Sequence, residues 1–251
     1  MNNQPNFYSV IIGTELLNGR RKDAHFAFLN SELLKRGYEQ KASFVIKDDP
    51  IFMEDVFNLI QQDPHSVMFC FGGIGATPDD FTRKVAAKAF THGKMHYNEV
   101  AKELIINQFG EETFPHRIEM SNLPIGAKLL DNVVNNVPGF YLEDRFFFTP
   151  GFPSMSQAMV LQALNCYFKE NVCKKYRKTM TIYTGENAII PLMKTYSNEV
   201  EISSLPRIKG EKRETVLSIV GEDEALVKRV YVAFEEFLKN ENIVFLEGEI
   251  A

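Results

Sequence analysis

The sequence predicts a three-layer α/β sandwich on a mainly parallel sheet, followed by a small α+β domain. Three observations lead there. Strand-like and helix-like segments alternate through the first two-thirds of the 251 residues, as in strand–helix–strand crossovers. An apolar run, Val67–Phe71, ends in glycine, as a parallel strand buried on both faces does. Beyond a basic stretch at Lys169–Lys178 the order changes to β-α-β-β-α, enough for a second domain of about 75 residues. The two domains are therefore placed at residues 1–170 and 171–251.

Taken in order, Phe7–Gly13 reads as the first strand. Asp23–Arg36 has helical spacing, with Phe26, Leu29, Leu33 and Leu34 on one face and Gly37 as its stop. Tyr38–Ile46 ends in Phe44, Val45 and Ile46, aromatic and β-branched residues that suit a strand. Pro50–Gln62 is expected to be helical, with Met53, Val56, Phe57 and Ile60 on its apolar side. The central strand Val67–Phe71 runs into a glycine loop. Thr77-Pro78 then reads as the start of a helix to Phe90, a capping hydroxyl followed by proline at the first helical position. Glu99–Phe109 is a further helix. The pattern after Gly110 is irregular until Gly139–Thr149, two short strands around Glu143-Asp144. Pro150-Gly151-Phe152-Pro153 is a sharp break before a helix from Ser154 to Phe168. Lys169–Lys178 reads as a solvated linker. Beyond it, Thr179–Thr184, Val200–Ser204 and Thr215–Val220 are strand-like. Asn187–Tyr196 is a short helix, and Asp223–Leu238 a longer one with Leu226, Val230, Ala233, Phe234 and Phe237 in register.

Composition narrows the function classes. Hydrophobic residues make up 45% of the chain and charged residues 24%, which supports a proper core in a soluble protein. A net charge of −5 and the lack of a GxxG loop in the small domain after the linker speak against nucleic acid as a partner. No apolar stretch approaches the roughly 18 residues that span a bilayer, so no membrane partner is expected. The opening MNNQPNFYSV lacks the charged-then-apolar pattern of a signal peptide. Cys70, Cys166 and Cys173 show no metal spacing. Cys70 and Cys166 fall in apolar segments and are expected to be buried thiols. So sparse and odd a set fits a reducing cytoplasm.

Chemistry concentrates in Ser66–Thr82, SVMFCFGGIGATPDDFT. Gly72, Gly73 and Gly75 let backbone approach a ligand closely. A helix start at Thr77 offers amides to a phosphate, and Asp79 and Asp80 are the oxygen donors a divalent metal takes. The same residues also read as an ordinary cap and turn, because first-turn acids favour the helix dipole and Asp80 stands three residues after Thr77. Gly13–Gly19 and Lys47–Asp49 lie at the same carboxyl edge of the sheet, where ligands bind in such folds. Asp48 is open between a site acid and a helix-start signal before Pro50. Glu15 is open between a ligand contact and a first-turn acid. His25, beside Phe26 and Phe28, reads as a packed or surface histidine rather than a ligand. Arg83 and Lys84 read as a solvated face rather than phosphate contacts.

Three segments, in order, carry a family resemblance. Gly13-Thr14-Glu15-Leu16-Leu17-Asn18-Gly19 resembles the G-[DS]-E-[LI]-L-x-G opening of the molybdopterin-binding domain superfamily. Gly72–Asp80 with Thr82 resembles its GG[TL]GPTxDDxT loop, and Thr149–Pro153 its LPGxP element. Over residues 7–168 the match looks most like the N-terminal part of CinA-type competence/damage-inducible proteins, with MogA and MoaB more distant. It implies a MogA-like sandwich and a following small domain of the type described there as KH-type. Thr14 stands where the resemblance implies an acid, Ala76 for the proline of GPT, His25 for an asparagine, and Thr149 for a leucine. No counterpart of the CinA amidase domain is read here, so nicotinamide-nucleotide deamidation is not expected.

The resemblance implies two activities. One is hydrolysis of ADP-ribose to AMP and ribose 5-phosphate with a divalent metal. The other is molybdopterin binding and adenylylation in molybdenum cofactor biosynthesis. Both act on a phosphoanhydride and need a phosphate cradle, charge neutralisation and a positioned nucleophile. Asp79, Asp80 and Asp48 are the expected catalytic residues, with Asp80 and Asp48 holding Mg²⁺, Mn²⁺ or Co²⁺. Gly13, Thr14, Glu15, Gly72, Gly73, Gly75, Thr77, Pro150, Gly151 and Pro153 are expected around a small nucleotide or pterin, molybdopterin being the alternative ligand. The ADP-ribose pyrophosphatase is the leading expectation, against molybdopterin adenylylation and a catalytically silent binding module. Relatives in the superfamily form dimers or trimers, so a homo-oligomer is expected.

Overall fold

The computed structural model describes residues 4–170, 175–209 and 212–249. The chain divides into two compact units, residues 1–171 and 172–251.

The first unit contains β1 (Asn6–Ile12), a single turn α1 (Thr14–Leu17), α2 (His25–Lys35), β2 (Gln40–Ile46) and α3 (Pro50–Gln61). It continues with β3 (Ser66–Phe71), α4 (Thr82–Thr91), β4 (Met95–Tyr97), α5 (Glu99–Phe109) and β5 (Asn122–Pro124). It closes with β6 (Lys128–Leu130), β7 (Gly139–Leu142), β8 (Phe146–Thr149) and α6 (Pro153–Tyr167). The main sheet has the order β2-β1-β3-β8-β7-β6, and β4 pairs with β5 apart from it. Its first four strands are parallel, with Val10 opposite Phe44 and Cys70, and Cys70 opposite Phe148. β7 and β6 are added antiparallel.

Strand alternation divides the sheet between two cores, because successive side chains point to opposite faces. Tyr8, Val10, Ile12, Met68, Cys70, Phe146 and Phe148 face one side, where Met53, Val56, Phe57 and Ile60 of α3 and Val85 and Ala86 of α4 cover them. Phe7, Ile11, Val67, Phe69, Phe71 and Phe147 face the other, under Leu29 and Leu33 of α2 and Met159, Val160, Ala163 and Leu164 of α6. The result is the three-layer sandwich. The helices that follow β1 and β3 lie on opposite faces, so a crevice opens between those neighbouring strands at their carboxyl ends.

The second unit has β9 (Tyr176–Ile182), α7 (Ile190–Tyr196), β10 (Glu201–Lys209), β11 (Lys212–Gly221), α8 (Glu224–Asn240) and β12 (Phe245–Glu247). Its strands form an antiparallel sheet in the order β10-β11-β9-β12. Val227, Val230, Phe234 and Leu238 of α8 pack on Met180, Ile182, Leu217 and Ile219. The Asp223 side chain caps α8 by accepting from the amides of Ala225 and Leu226.

Several expectations are corrected. α4 begins at Thr82 rather than Pro78. Thr82 ties its amide to the Gly73 carbonyl (3.0 Å) and its hydroxyl to the Gly72 carbonyl (2.9 Å), so the helix starts only where the glycine loop ends. The inward face of α2 is His25, Leu29 and Leu33, while Phe26 and Leu34 are 44% and 51% exposed. Residues four apart share a helix face, and the inward register runs through the histidine. Cys166 is exposed, in the last turn of α6 beyond Leu164, the last buried residue of that helix. Of the Lys169–Lys178 linker, 171–174 lie outside the described residues, with Cys173 among them, and Tyr176–Lys178 belong to β9.

Candidate functional site

Four segments meet at the carboxyl ends of the parallel strands. Gly13–Leu17 follows β1, Asp48 follows β2, the Gly72–Phe81 loop follows β3, and Pro150–Phe152 follows β8. With the loop Asn132–Val137 they line an open cavity of about 450 Å³.

The glycine loop owes its course to missing side chains. Gly72 (φ +100°) and Gly73 (φ +69°) sit in the left-handed region. A Cβ on Gly72 would lie 2.6 Å from the Ile12 carbonyl oxygen, and one on Gly73 would lie 2.3 Å from Thr82 Oγ1. Gly75 is needed for room rather than for φ, since a Cβ there would lie 2.5 Å from Asp80 Oδ2. Gly151 packs against Gly72, its own Cβ position 3.4 Å from the Gly72 Cα. Among the described residues the amides of Gly73, Ile74, Gly75 and Ala76 donate to no protein acceptor, and all four residues line the cavity. Such a run of amides in a turn forms an anion-binding concavity.

The Thr77 site is a turn, not a helix start. The Asp80 carboxylate Oδ2 accepts from the Thr77 amide (2.8 Å) and hydroxyl (2.6 Å), and the Asp80 amide donates back to the Thr77 carbonyl (3.0 Å). Asp80 therefore holds the turn with one oxygen and keeps Oδ1 without a protein partner. Asp79 is exposed, and the Thr77 hydroxyl and its own backbone amide hold its carboxyl below the ordinary value. On the facing wall, Asp48 Oδ2 accepts from both the amide and the hydroxyl of Thr14, each at 2.8 Å. Threonine in place of an acid at residue 14 thus removes a repulsion from Asp48 and supplies it with a donor. Asp49, not Asp48, caps α3, accepting from the Ile51 and Phe52 amides.

Gly13, Glu15, Asp48, Gly72, Gly73, Gly75, Thr77, Asp79, Asp80, Pro150 and Gly151 are brought together on the cavity wall. Thr14 is absent from it and acts through Asp48, and Pro153 starts α6 beside a smaller void. Residues 9–169 match the family model described as probable molybdopterin binding domain. The chain belongs to that family. A protein of Pyrococcus abyssi (strain GE5 / Orsay) is 27% identical over 255 residues, covering 95% of this chain and 98% of its own length. The CinA-like protein of Fusobacterium nucleatum subsp. nucleatum is 28% identical over 258 residues, and the match spans 96% of this chain but 61% of that protein. A crystal structure of CinA from Thermoplasma acidophilum superposes with a TM-score of 0.58 at 27% identity, over 66% of this chain and 98% of that one. The motif resemblance to the N-terminal part of CinA-type proteins is met by these relatives.

The molybdopterin-binding domain also uses residues that the motifs do not contain. Arg21 donates to the Gly151 carbonyl (2.8 Å), pairs with Glu15 (3.6 Å) and lies 5.7 Å over the Phe152 ring. It thereby ties the first motif to the third. His25 is buried, stacked on Phe71 with ring centroids 4.5 Å apart, its Nε2 3.3 Å from the Gly151 carbonyl and its Nδ1 3.2 Å from Ser156 Oγ. It is the packed histidine expected, and burial lowers its pKa against the opposing pull of Asp23. Arg83 is buried rather than solvated, with Nη1 3.4 Å from the Ile74 carbonyl behind the loop. Burial lowers its pKa while Asp80 and Glu119 favour the charged form. Phe109, Met120, Asn132 and Asn135 also line the cavity. Phe109 ends the helix read at Glu99–Phe109, whereas the other three come from the irregular stretch after Gly110, where the Asn-rich turn DNVVNN marks Asn132 and Asn135.

Among the described residues no three His, Cys, Asp or Glu side chains are grouped to hold a metal. The donors present are nonetheless hard carboxylate oxygens, Asp48 and Asp80 each with one oxygen unengaged. That set suits Mg²⁺, which takes one or two carboxylates and fills its shell with water and ligand phosphate. No helix of the described residues is long and apolar enough to cross a membrane.

Proposed function

We propose that the molybdopterin-binding domain is a divalent-metal-dependent pyrophosphatase that hydrolyses ADP-ribose or a similar nucleoside diphosphate ester. The observation that carries this reading is the run of four unpartnered amides, Gly73–Ala76, in a cavity that also holds Asp48, Asp79 and Asp80. Amides alone offer an anion site, but four carboxylates with Glu15 would repel a bare diphosphate. The two features are compatible when a cation shares the cavity, held by Asp80 and Asp48. Bound there, it supplies charge neutralisation and makes water more acidic.

The protein's own groups then have distinct tasks. The loop amides bind one phosphate and stabilise charge that grows as the bridge breaks. Asp48, its Oδ2 pinned by Thr14, presents Oδ1 to the cation, and the exposed carboxylate of Asp79 takes the proton of the attacking water. Water adds to one phosphorus, the P–O bond of the bridge breaks, and AMP and ribose 5-phosphate leave with the oxygens shared between them. Arg21 keeps Gly151 against Gly72 and so holds the mouth in shape.

The test is incubation with ADP-ribose and Mg²⁺, Mn²⁺ or Co²⁺ while AMP is followed. Asp80→Asn retains an oxygen for Thr77 but removes the charge, and is expected to lower turnover by about 10²-fold, the scale of one lost transition-state contact. Absence of turnover with every metal overturns the reading, and full activity in Asp80→Asn overturns the site. The family match favours a second reading, adenylyl transfer to molybdopterin. ATP-dependent adenylation of added molybdopterin, with ADP-ribose left intact, would establish that one instead.

A further inference from the structure

Arg83 stands behind the glycine loop as a buried charge that the chemistry above does not use. It lies in the first turn of α4 and is 6% exposed. Among the described residues its guanidinium makes one hydrogen bond, from Nη1 to the Ile74 carbonyl at 3.4 Å, and no ion pair. Asp80 and Glu119 attract its charge without touching it. Glu119 is itself engaged, accepting from the Tyr97 hydroxyl at 2.6 Å. A guanidinium carries several N–H donors, and a buried charge without a contact partner lowers stability. Methionine, of similar length, would fill the same space without that cost. Packing alone therefore does not account for an arginine here.

The bond to Ile74 fixes more than a carbonyl. The Ile74–Gly75 peptide is trans, so its C=O and its N–H point in opposite directions. With the carbonyl turned back to Arg83, the Gly75 amide is turned away from the arginine. That amide is one of the four that donate to no protein acceptor among the described residues, and Gly75 lines the cavity while Arg83 does not. One buried side chain thus orients a donor and sets a positive charge behind it. Water is kept from the guanidinium, so its field on the loop is little screened.

We infer that Arg83 is a positioning residue for anion binding: through the Ile74 carbonyl it aims the Gly75 amide at a bound phosphate, and its charge strengthens that contact from behind the loop. The inference rests on the reading of Gly73–Ala76 as a phosphate cradle. Arg83 itself touches no ligand. Its presence exchanges stability for affinity, a cost that functional sites carry, and this exchange separates it from a residue that merely supports the loop.

The experiment measures inorganic pyrophosphate binding with Mg²⁺, and thermal melting, on the full chain as wild type, Arg83→Lys and Arg83→Met. Affinity is read well below each melting transition, so lost folding is not counted as lost binding. Arg83→Met is expected to bind pyrophosphate about tenfold more weakly and to melt no lower than the wild type, because the buried charge is gone. Arg83→Lys keeps the charge on a less well-shaped donor, and its affinity is expected to lie between the two. A residue that only packs the loop gives the opposite pattern, a lowered melting temperature in Arg83→Met with affinity unchanged. Unchanged affinity in that variant overturns the inference whatever its melting temperature. A second measurement needs no variant: in amide spectra of the wild type the Gly75 resonance is expected to shift as pyrophosphate binds. If pyrophosphate binds and the Gly75 amide does not move, the inference fails while the cradle reading stands. If the wild type binds no pyrophosphate with or without Mg²⁺, the cradle reading fails and takes the inference with it.

Discussion

Gly73 and Gly75 are two residues apart in one loop, yet a methyl group added to each should do different things. At Gly73 it meets Thr82 Oγ1 at 2.3 Å in a backbone with φ +69°, so both the conformation and the Thr82–Gly72 hydrogen bond are lost. Gly73→Ala is expected to cost about 1–3 kcal/mol of stability, read from urea denaturation. At Gly75 the obstacle is the end of the Asp80 side chain, which can swing away. Gly75→Ala should leave stability within about 0.5 kcal/mol but lift the Asp80 carboxylate off Thr77, so ADP-ribose turnover should fall about as far as in Asp80→Asn. Equal stability losses in the two variants, or normal turnover in Gly75→Ala, would refute this division of labour. Thr14 makes a related point. Its hydroxyl and amide both serve one oxygen of Asp48, so a departure from the family motif becomes a support for the neighbouring acid.

Among the elements, α2, α6 and the strand β3 converge on His25. The ring stacks on Phe71 of β3 and reaches Ser156 of α6 and the Gly151 carbonyl. Burial lowers its pKa from 6.5 in the folded state. As pH falls through that unfolded value, the unfolded chain gains a proton that the folded chain resists, so stability is lost on the acid side and unaffected above it. The melting temperature should therefore drop between pH 6.5 and pH 5 relative to His25→Asn, which cannot titrate, and the two should run parallel at pH 7–8. Parallel curves throughout would show that the histidine is not the titrating group. The same residue shows what sequence pattern could reach. The strand and loop at Ser66–Gly75 are legible because a continuous apolar run and glycine have few alternatives. The phase of α2 is not, because a polar histidine takes the inward position that Phe26 was expected to hold. The start of α4 is not, because Thr77-Pro78 has the chemistry of a cap and only the Thr82 contacts to Gly72 and Gly73 delay the helix. The Asn132 and Asn135 part of the cavity lining is the least legible, since it stands in a turn without a period.

At the scale of the whole molecule, the two units have separate cores. The residues that pack around the parallel sheet all precede 170, and those that pack around the antiparallel sheet all follow 174. The proposed cavity is lined only by residues from Ile12 to Met155, entirely within the first unit. A ligand that binds there stabilises only the folding equilibrium that forms the cavity. At a hundred times its dissociation constant the gain is about 2.7 kcal/mol. Calorimetry of the full chain should accordingly show two transitions, of which ADP-ribose with Mg²⁺ raises one and leaves the other in place. A Gly73→Ala background should lower the same transition that the ligand raises, because the loop and the site are one structure. If the ligand moves both transitions together, or if the loop variant lowers the one that the ligand does not touch, then the cavity is not an autonomous property of the α/β sandwich.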